Sequence, residues 1–161
     1  MKKKYENSVK EIINEYNIKP KKKLGQNFLH DKNIISSIIN KADVEDEDII
    51  EIGPGPGILT ESILENKARS LLVIEKDNSF EINLKKIKDK YKDNFDYLIN
   101  DVIDFDFETL TKKDYKFVSN LPYNISVPFI LKMIKIRREI PWKELILMVQ
   151  KEVAERITAD I

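Results

Sequence analysis

The stretch Asp48-Ile49-Ile50-Glu51-Ile52-Gly53-Pro54-Gly55-Pro56-Gly57 decides the fold: a short apolar run ends in a Gly/Pro loop, and an apolar segment resumes at Ile58. The run reads as a strand, residues 48–52, and a helix is expected to begin near Ile58. Glycines at such a turn let the backbone approach a ligand without a Cβ in the way, and the helix N-terminus behind them adds N–H donors. A dinucleotide-binding turn wants G-x-G-x-x-G. Here Ile58 takes the place of the third glycine, which disfavours NAD.

Outward from this turn the pattern alternates. Residues 71–74, Leu-Leu-Val-Ile, predict a second strand, followed by a helix with Phe80, Leu84, Ile87 and Tyr91 on one face. Residues 95–99 predict a third strand, 115–119 a fourth and 145–149 a fifth, with a helix opened by Pro128 and running through Ile134, and another over 151–157. Upstream, Asp31 is a candidate N-cap for a helix with the stripe Ile34, Ile35, Ile38 and Ile39, and the acidic segment 43–48 reads as a loop. Val9, Ile12, Ile13 and Tyr16 suggest a short amphipathic helix that ends before Lys19-Pro20. Repeated strand, helix, strand units imply an α/β fold with a parallel sheet and helices on both faces, and ligands bound beyond the carboxyl ends of the strands.

The 161 residues fit one domain, and 28 Lys+Arg against 28 Asp+Glu leave a formal net charge of zero. Basic residues crowd the first 32 positions: Lys2, Lys3, Lys4, Lys10, Lys19, Lys21, Lys22, Lys23 and Lys32 face only Glu6, Glu11, Glu15 and Asp31. Residues 1–32 are therefore expected to form a basic arm and 33–161 the α/β domain. With no cysteine and a single histidine, His30, a zinc site of Cys and His ligands is excluded, and no metal is expected. No stretch approaches the roughly 20 apolar residues of a membrane span, so a soluble, cytoplasmic protein is expected.

Three further segments carry chemistry. Glu75 stands at the end of the second strand, 20 residues beyond Gly55, where a carboxylate can accept hydrogen bonds from ribose hydroxyls. Asp101 stands at the end of the third strand, placed either to accept from an exocyclic amine or to cap a turn. Asn120-Leu121-Pro122-Tyr123 follows the fourth strand. A carboxamide oxygen and a carbonyl held by a proline can accept the hydrogens of an exocyclic amino group and pull its nitrogen toward tetrahedral geometry, while an aromatic ring stacks on the base. No carboxylate pair or Ser/His arrangement is evident, and His30 reads as a surface or capping residue.

These segments, together with Lys23-Leu24-Gly25-Gln26-Asn27-Phe28-Leu29, Asn124-Ile125-Ser126 and the stretch 149–157, resemble the ordered motifs of the ribosomal RNA adenine N6,N6-dimethyltransferases over nearly the whole chain. The resemblance implies a Rossmann-like methyltransferase fold that uses S-adenosyl-L-methionine to methylate adenosine N6 in small-subunit ribosomal RNA. Asn27 and Leu29 would contact the methionine end of the cofactor, Gly53 and Gly55 would pass beneath it, Glu75 would hold the ribose, Asp101 the adenine amine. Asn120, Leu121, Pro122 and Tyr123 would form the target-adenine pocket, with Asn120 also touching the cofactor. Lys21, Lys22 and Lys23 would contact RNA phosphates.

The implied partner is the small-subunit RNA in a pre-30S particle, with no membrane and no metal, and the complete protein a monomer. Three other readings stand beside this one: the erythromycin-resistance methyltransferases of large-subunit RNA, a non-catalytic RNA-binding or ribosome-assembly factor and, less well supported, a nicotinamide dehydrogenase. Members of the resembling family continue into further strands and a small helical domain, so the sheet is expected to lack its final strands.

Overall fold

The computed structural model describes residues 28–110, 114–140 and 142–159. The expected helix around Val9 to Tyr16, the lysines Lys21, Lys22 and Lys23, and Asn27 lie outside these residues.

The first helix, α1 (Lys32–Ala42), begins where Asp31 caps it, its carboxylate accepting the N–H groups of Asn33 at 2.8 Å and Ile34 at 3.3 Å. Then follow β1 (Asp48–Ile52), α2 (Ile58–Glu65), β2 (Ser70–Glu75), a 3-10 turn (Asn78–Phe80) leading into α3 (Glu81–Tyr91), β3 (Phe95–Ile99), a second 3-10 turn (Phe107–Thr109), β4 (Lys116–Asn120), α4 (Ser126–Lys135), β5 (Glu144–Met148) and α5 (Lys151–Ile157). The expected strands and helices among the described residues are present, with edges moved by one or two residues. Ser126 and Val127 precede Pro128 in α4, so the proline sits inside the first turn, where its missing N–H costs nothing.

The five strands form one parallel sheet in the order β3-β2-β1-β4-β5. The chain starts in the middle and winds outward in two directions, so the order reverses beside β1, where a crevice opens at the strand ends. Alternate residues of the central strands serve opposite faces. Ile49, Leu71, Val73 and Val118 pack under α1, α2 and α3 with Ile35, Ile39, Ile63, Leu84 and Ile87. Ile50, Ile52, Ile74 and Phe117 pack under α4 and the second 3-10 turn with Phe107, Phe129 and Met133. Two expectations shift here. Ile34 is 41% exposed and Ala42 completes the α1 stripe instead. β3 lies at the sheet edge, so Leu98 and Ile99 remain exposed although the strand reads as apolar. No helix among the described residues is long and apolar enough to cross a membrane.

Candidate functional site

The carboxyl ends of β1, β2, β3 and β4 surround one cleft. Leu29, Gly53, Gly55, Glu75, Asp101, Asn120, Leu121 and Pro122 all line it. The fold thus gathers residues separated by up to 93 positions into one wall. Tyr123 lies outside that lining and is 48% exposed beside the cleft, in the turn that leads into α4.

The glycine loop is shaped by its neighbours. Gly53 has φ +64°, and a Cβ there would lie 3.4 Å from Pro122 Cδ, so the loop after β1 and the loop after β4 touch. Gly55 has φ +54° and packs against the Phe28 ring, while its N–H donates to Glu75 Oε2 at 3.1 Å. The other oxygen of Glu75 accepts the Asp77 N–H at 2.7 Å. Glu75 is buried, and burial pushes its carboxyl above the ordinary range, against the pull of these backbone donors. A solvated strand-end acid would have none of these features. The carboxylate also lines the cleft.

Asp101 is placed differently. Its carboxylate pairs with Lys76 and accepts the Ile103 N–H at 3.0 Å, while its backbone carbonyl receives Asp104 and Phe105. The lysine holds this carboxyl below its usual range. The turn-capping and ligand-facing readings of Asp101 are thus compatible, since the same side chain caps a turn and lines the cleft.

Two residues that the sequence reading did not single out belong here. Glu51, in β1, lines the cleft, is 2% exposed, and accepts the Thr60 hydroxyl at 2.7 Å. Burial raises its carboxyl to about 8, and the neighbouring Glu75 adds to the rise. The expectation of no carboxylate pair therefore needs correcting, because adjacent parallel strands set Glu51 and Glu75 close enough to interact. The available signal was a charged residue inside the run Ile49-Ile50-Glu51-Ile52. Lys132, on α4, reaches across to the loop after β3 and donates to the carbonyls of Val102 at 3.1 Å, Ile103 at 2.7 Å and Phe105 at 2.6 Å.

The sheet order and the cleft at its reversal point define a Rossmann-like methyltransferase fold, a fold shared by solved structures similar to this chain. The crystal structure of a dimethyladenosine transferase from Plasmodium falciparum superposes with a TM-score of 0.65 at 31% identity, over 84% of this chain and 47% of that one. The 23S rRNA methyltransferase ErmE gives a TM-score of 0.68 at 24% identity, over 82% of this chain and 51% of that one, a likeness of fold alone.

Residues 17–161 match the model of the ribosomal RNA adenine dimethylase family, and the chain belongs to that family. It is 44% identical over 139 residues to the ribosomal RNA small subunit methyltransferase A of Anaplasma marginale, covering 86% of this chain and 50% of that protein. The protein of the same name from Clostridium botulinum is 41% identical over 156 residues, covering 95% of this chain and 55% of its own length. The chain spans about half the length of the curated relatives it matches.

Proposed function

We propose that this chain binds S-adenosyl-L-methionine in the cleft and serves methyl transfer to N6 of adenosines in small-subunit ribosomal RNA, within a pre-30S particle. One observation carries the reading: Gly53 of the cofactor-type loop abuts Pro122 of the Asn120-Leu121-Pro122-Tyr123 motif, so donor and acceptor would share a wall. The family membership and the small-subunit names of the relatives support the substrate.

The residues fit the cofactor. Glu75 offers a buried carboxylate at the end of β2 for ribose hydroxyls, and Asp101 offers an acceptor at the end of β3 for the adenine amine. Asn27 and Leu29 meet the methionine end, and Gly53 and Gly55 leave the floor of the cleft without side chains. The bound cofactor supplies a methyl group activated by its sulfonium, so the protein's task is mainly positioning. Asn120 and the Leu121 carbonyl accept the amino hydrogens of the target adenine, Pro122 fixes that carbonyl, and Tyr123 stacks on the extruded base. Lys21, Lys22 and Lys23 meet RNA phosphates from the basic arm.

Tritiated methyl transfer to unmodified small and large subunits tests this reading. Incorporation into small-subunit adenosines is expected, with Asn120→Ala and Tyr123→Ala lowering transfer by roughly 5-fold to 150-fold, the worth of about 1–3 kcal/mol of base stacking or pairing. Cofactor affinity should fall less. Incorporation confined to large subunits, or equal losses of affinity and transfer, would overturn the assignment.

A further inference from the structure

The glycine loop is held by α3 as well as by the strands. Pro54 and Pro56 have no N–H to give, so the loop's donors are Gly53, Gly55 and Gly57. Each has a partner: the Ile74 carbonyl at 2.9 Å, Glu75 Oε2 at 3.1 Å and the Pro54 carbonyl at 3.0 Å. The Pro56 carbonyl is served by a side chain, the Asn83 amide of α3, which donates to it at 2.8 Å. Of the buried residues of α3, Asn83, Leu84 and Ile87, Asn83 alone is polar. A buried amide is costly unless it is bonded, and this one bonds the loop across 27 positions of sequence. The helix also presses close, since a Cβ on Gly57, at φ +80°, would lie 2.7 Å from Ile87 Cδ1 and 3.4 Å from Asn83 Nδ2. The planar Pro56–Gly57 peptide is thus pinned at both polar atoms, its oxygen by Asn83 and its N–H by the Pro54 carbonyl. That fixes Gly57 in the left-handed conformation from which α2 starts. Gly55, Pro56 and Ile58 line the cleft, while Asn83 stands behind them.

We propose that Asn83 is a positioning residue for the methyl donor: by pinning the Pro56–Gly57 peptide it holds the glycine loop in the shape that receives the ligand, and so sets donor affinity without touching the donor. This role rests on the methyl-donor reading of the cleft. A loop free to rotate at that peptide has to be ordered when the ligand arrives, and the ordering cost appears as weaker binding. The Asn120-Leu121-Pro122-Tyr123 motif meets the loop at Gly53, its opposite end, so the effect falls on the donor rather than on the RNA.

Asn83→Leu keeps the bulk of the side chain and strips its donor. Calorimetric titration with S-adenosylmethionine should show affinity lowered by about 3-fold to 10-fold, the worth of one net hydrogen bond. In the ligand-free chain amide exchange should quicken at Gly57, while the Gly53 N–H, bonded to the Ile74 carbonyl at the other end of the loop, keeps the parent's rate. In turnover the donor KM should rise, with kcat and the KM for RNA changing less. Asn83→Ala, which removes the donor without adding apolar bulk, is read in the same three ways should the leucine variant fail to fold. Parent-like donor affinity in the variant, or exchange quickened equally at Gly53 and Gly57, would mean that Asn83 only stabilises the fold, and would overturn its positioning role while leaving the methyl-donor reading intact. A parent chain that binds no donor would overturn both.

Discussion

On the β1–β2 side of the cleft the acids Glu51 and Glu75 are buried, face a hydroxyl or backbone N–H groups, and are pushed toward their neutral forms. On the β3 side Asp101 is partly exposed, pairs with Lys76 and stays charged. The difference comes from sheet position. β1 and β2 are flanked by strands on both sides, whereas β3 is an edge, where water and a flexible lysine reach the strand end. Acids of the same sheet, set at equivalent ends of parallel strands, therefore differ in their surroundings: at one side burial raises the carboxyl against hydroxyl and backbone donors, at the other a lysine pairs with it.

That contrast is testable first in stability, where the expected effect is largest. An acid whose native pKa is raised holds a proton that the unfolded chain has lost, so stability should fall as pH rises from the ordinary glutamate value of 4.5 toward about 8. The slope from one such group is on the order of 1 kcal/mol per pH unit, and Glu75 acts in the same direction. Glu47 and Asp101, whose values are lowered, give up their contributions only below the ordinary carboxylate values, so they do not offset this trend above about pH 5. Urea unfolding of the ligand-free chain at pH 5.5, 6.5 and 7.5 should show the decline, and Glu51→Gln should flatten it. A variant with the parent's slope would remove Glu51 from the buried side of the comparison.

Next in size is Glu75→Ala. It removes an acceptor from the Gly55 and Asp77 N–H groups and from the proposed ribose hydroxyls, so S-adenosylmethionine affinity should fall by roughly 10-fold to 150-fold, about 1.5–3 kcal/mol. Calorimetric titration gives the constant directly. An unchanged value in a chain that binds the cofactor would take Glu75 out of the site.

Much of this was legible before any coordinates. The apolar runs at 49–52 and 71–74, with the Gly/Pro loop between them, specify a buried parallel strand pair, and one structural fact then follows from another: strand ends converge, so Glu75, Asp101 and Asn120 meet. The Asp31 cap was legible for the same reason, because its partners are two and three residues away. What stayed hidden depends on strand order. Nothing local says that β3 is an edge, so the exposure of Leu98 and Ile99 is not legible in the run itself. The Lys76–Asp101 pair spans 25 positions and the Lys132 contacts 27 to 30, distances that only the assembled sheet closes. Glu51 was visible as a charge within an apolar run, but its meaning rests on Thr60, nine residues on and across the glycine loop.

Lys132 ties the exposed side together and should rank third. Its ammonium serves three carbonyls of the loop after β3, at a cost in desolvation that lowers its pKa. Lys132→Met keeps the stem but strips the donors, and should cost about 1–2 kcal/mol of stability, the range for a lost charged hydrogen-bond partner after partial exposure is discounted. The local signature is faster amide exchange at Ile103 and Phe105, whose N–H groups bond to Asp101. Exchange unchanged there would mean that the loop holds itself.

The smallest effect is expected at Asp101. Asp101→Asn keeps an oxygen that can accept the Ile103 N–H or the cofactor's adenine amine, and loses only the charge that pairs with Lys76. Ion pairs in such exposed settings are worth about 0–1 kcal/mol and are screened by salt. Cofactor affinity should therefore fall by no more than about 5-fold. The penalty should shrink in high salt and stay flat from pH 6 to 8, because Lys76 holds the parent's carboxyl ionised throughout that range. At Glu75 the penalty should persist in salt, since burial shields that carboxyl from counter-ions. Titrating the two variants side by side at low and high salt decides the matter. If Asp101→Asn cost as much as Glu75→Ala and resisted salt equally, edge and interior strand ends would be equivalent for binding, and the division of the cleft into a buried and a screened side would be wrong.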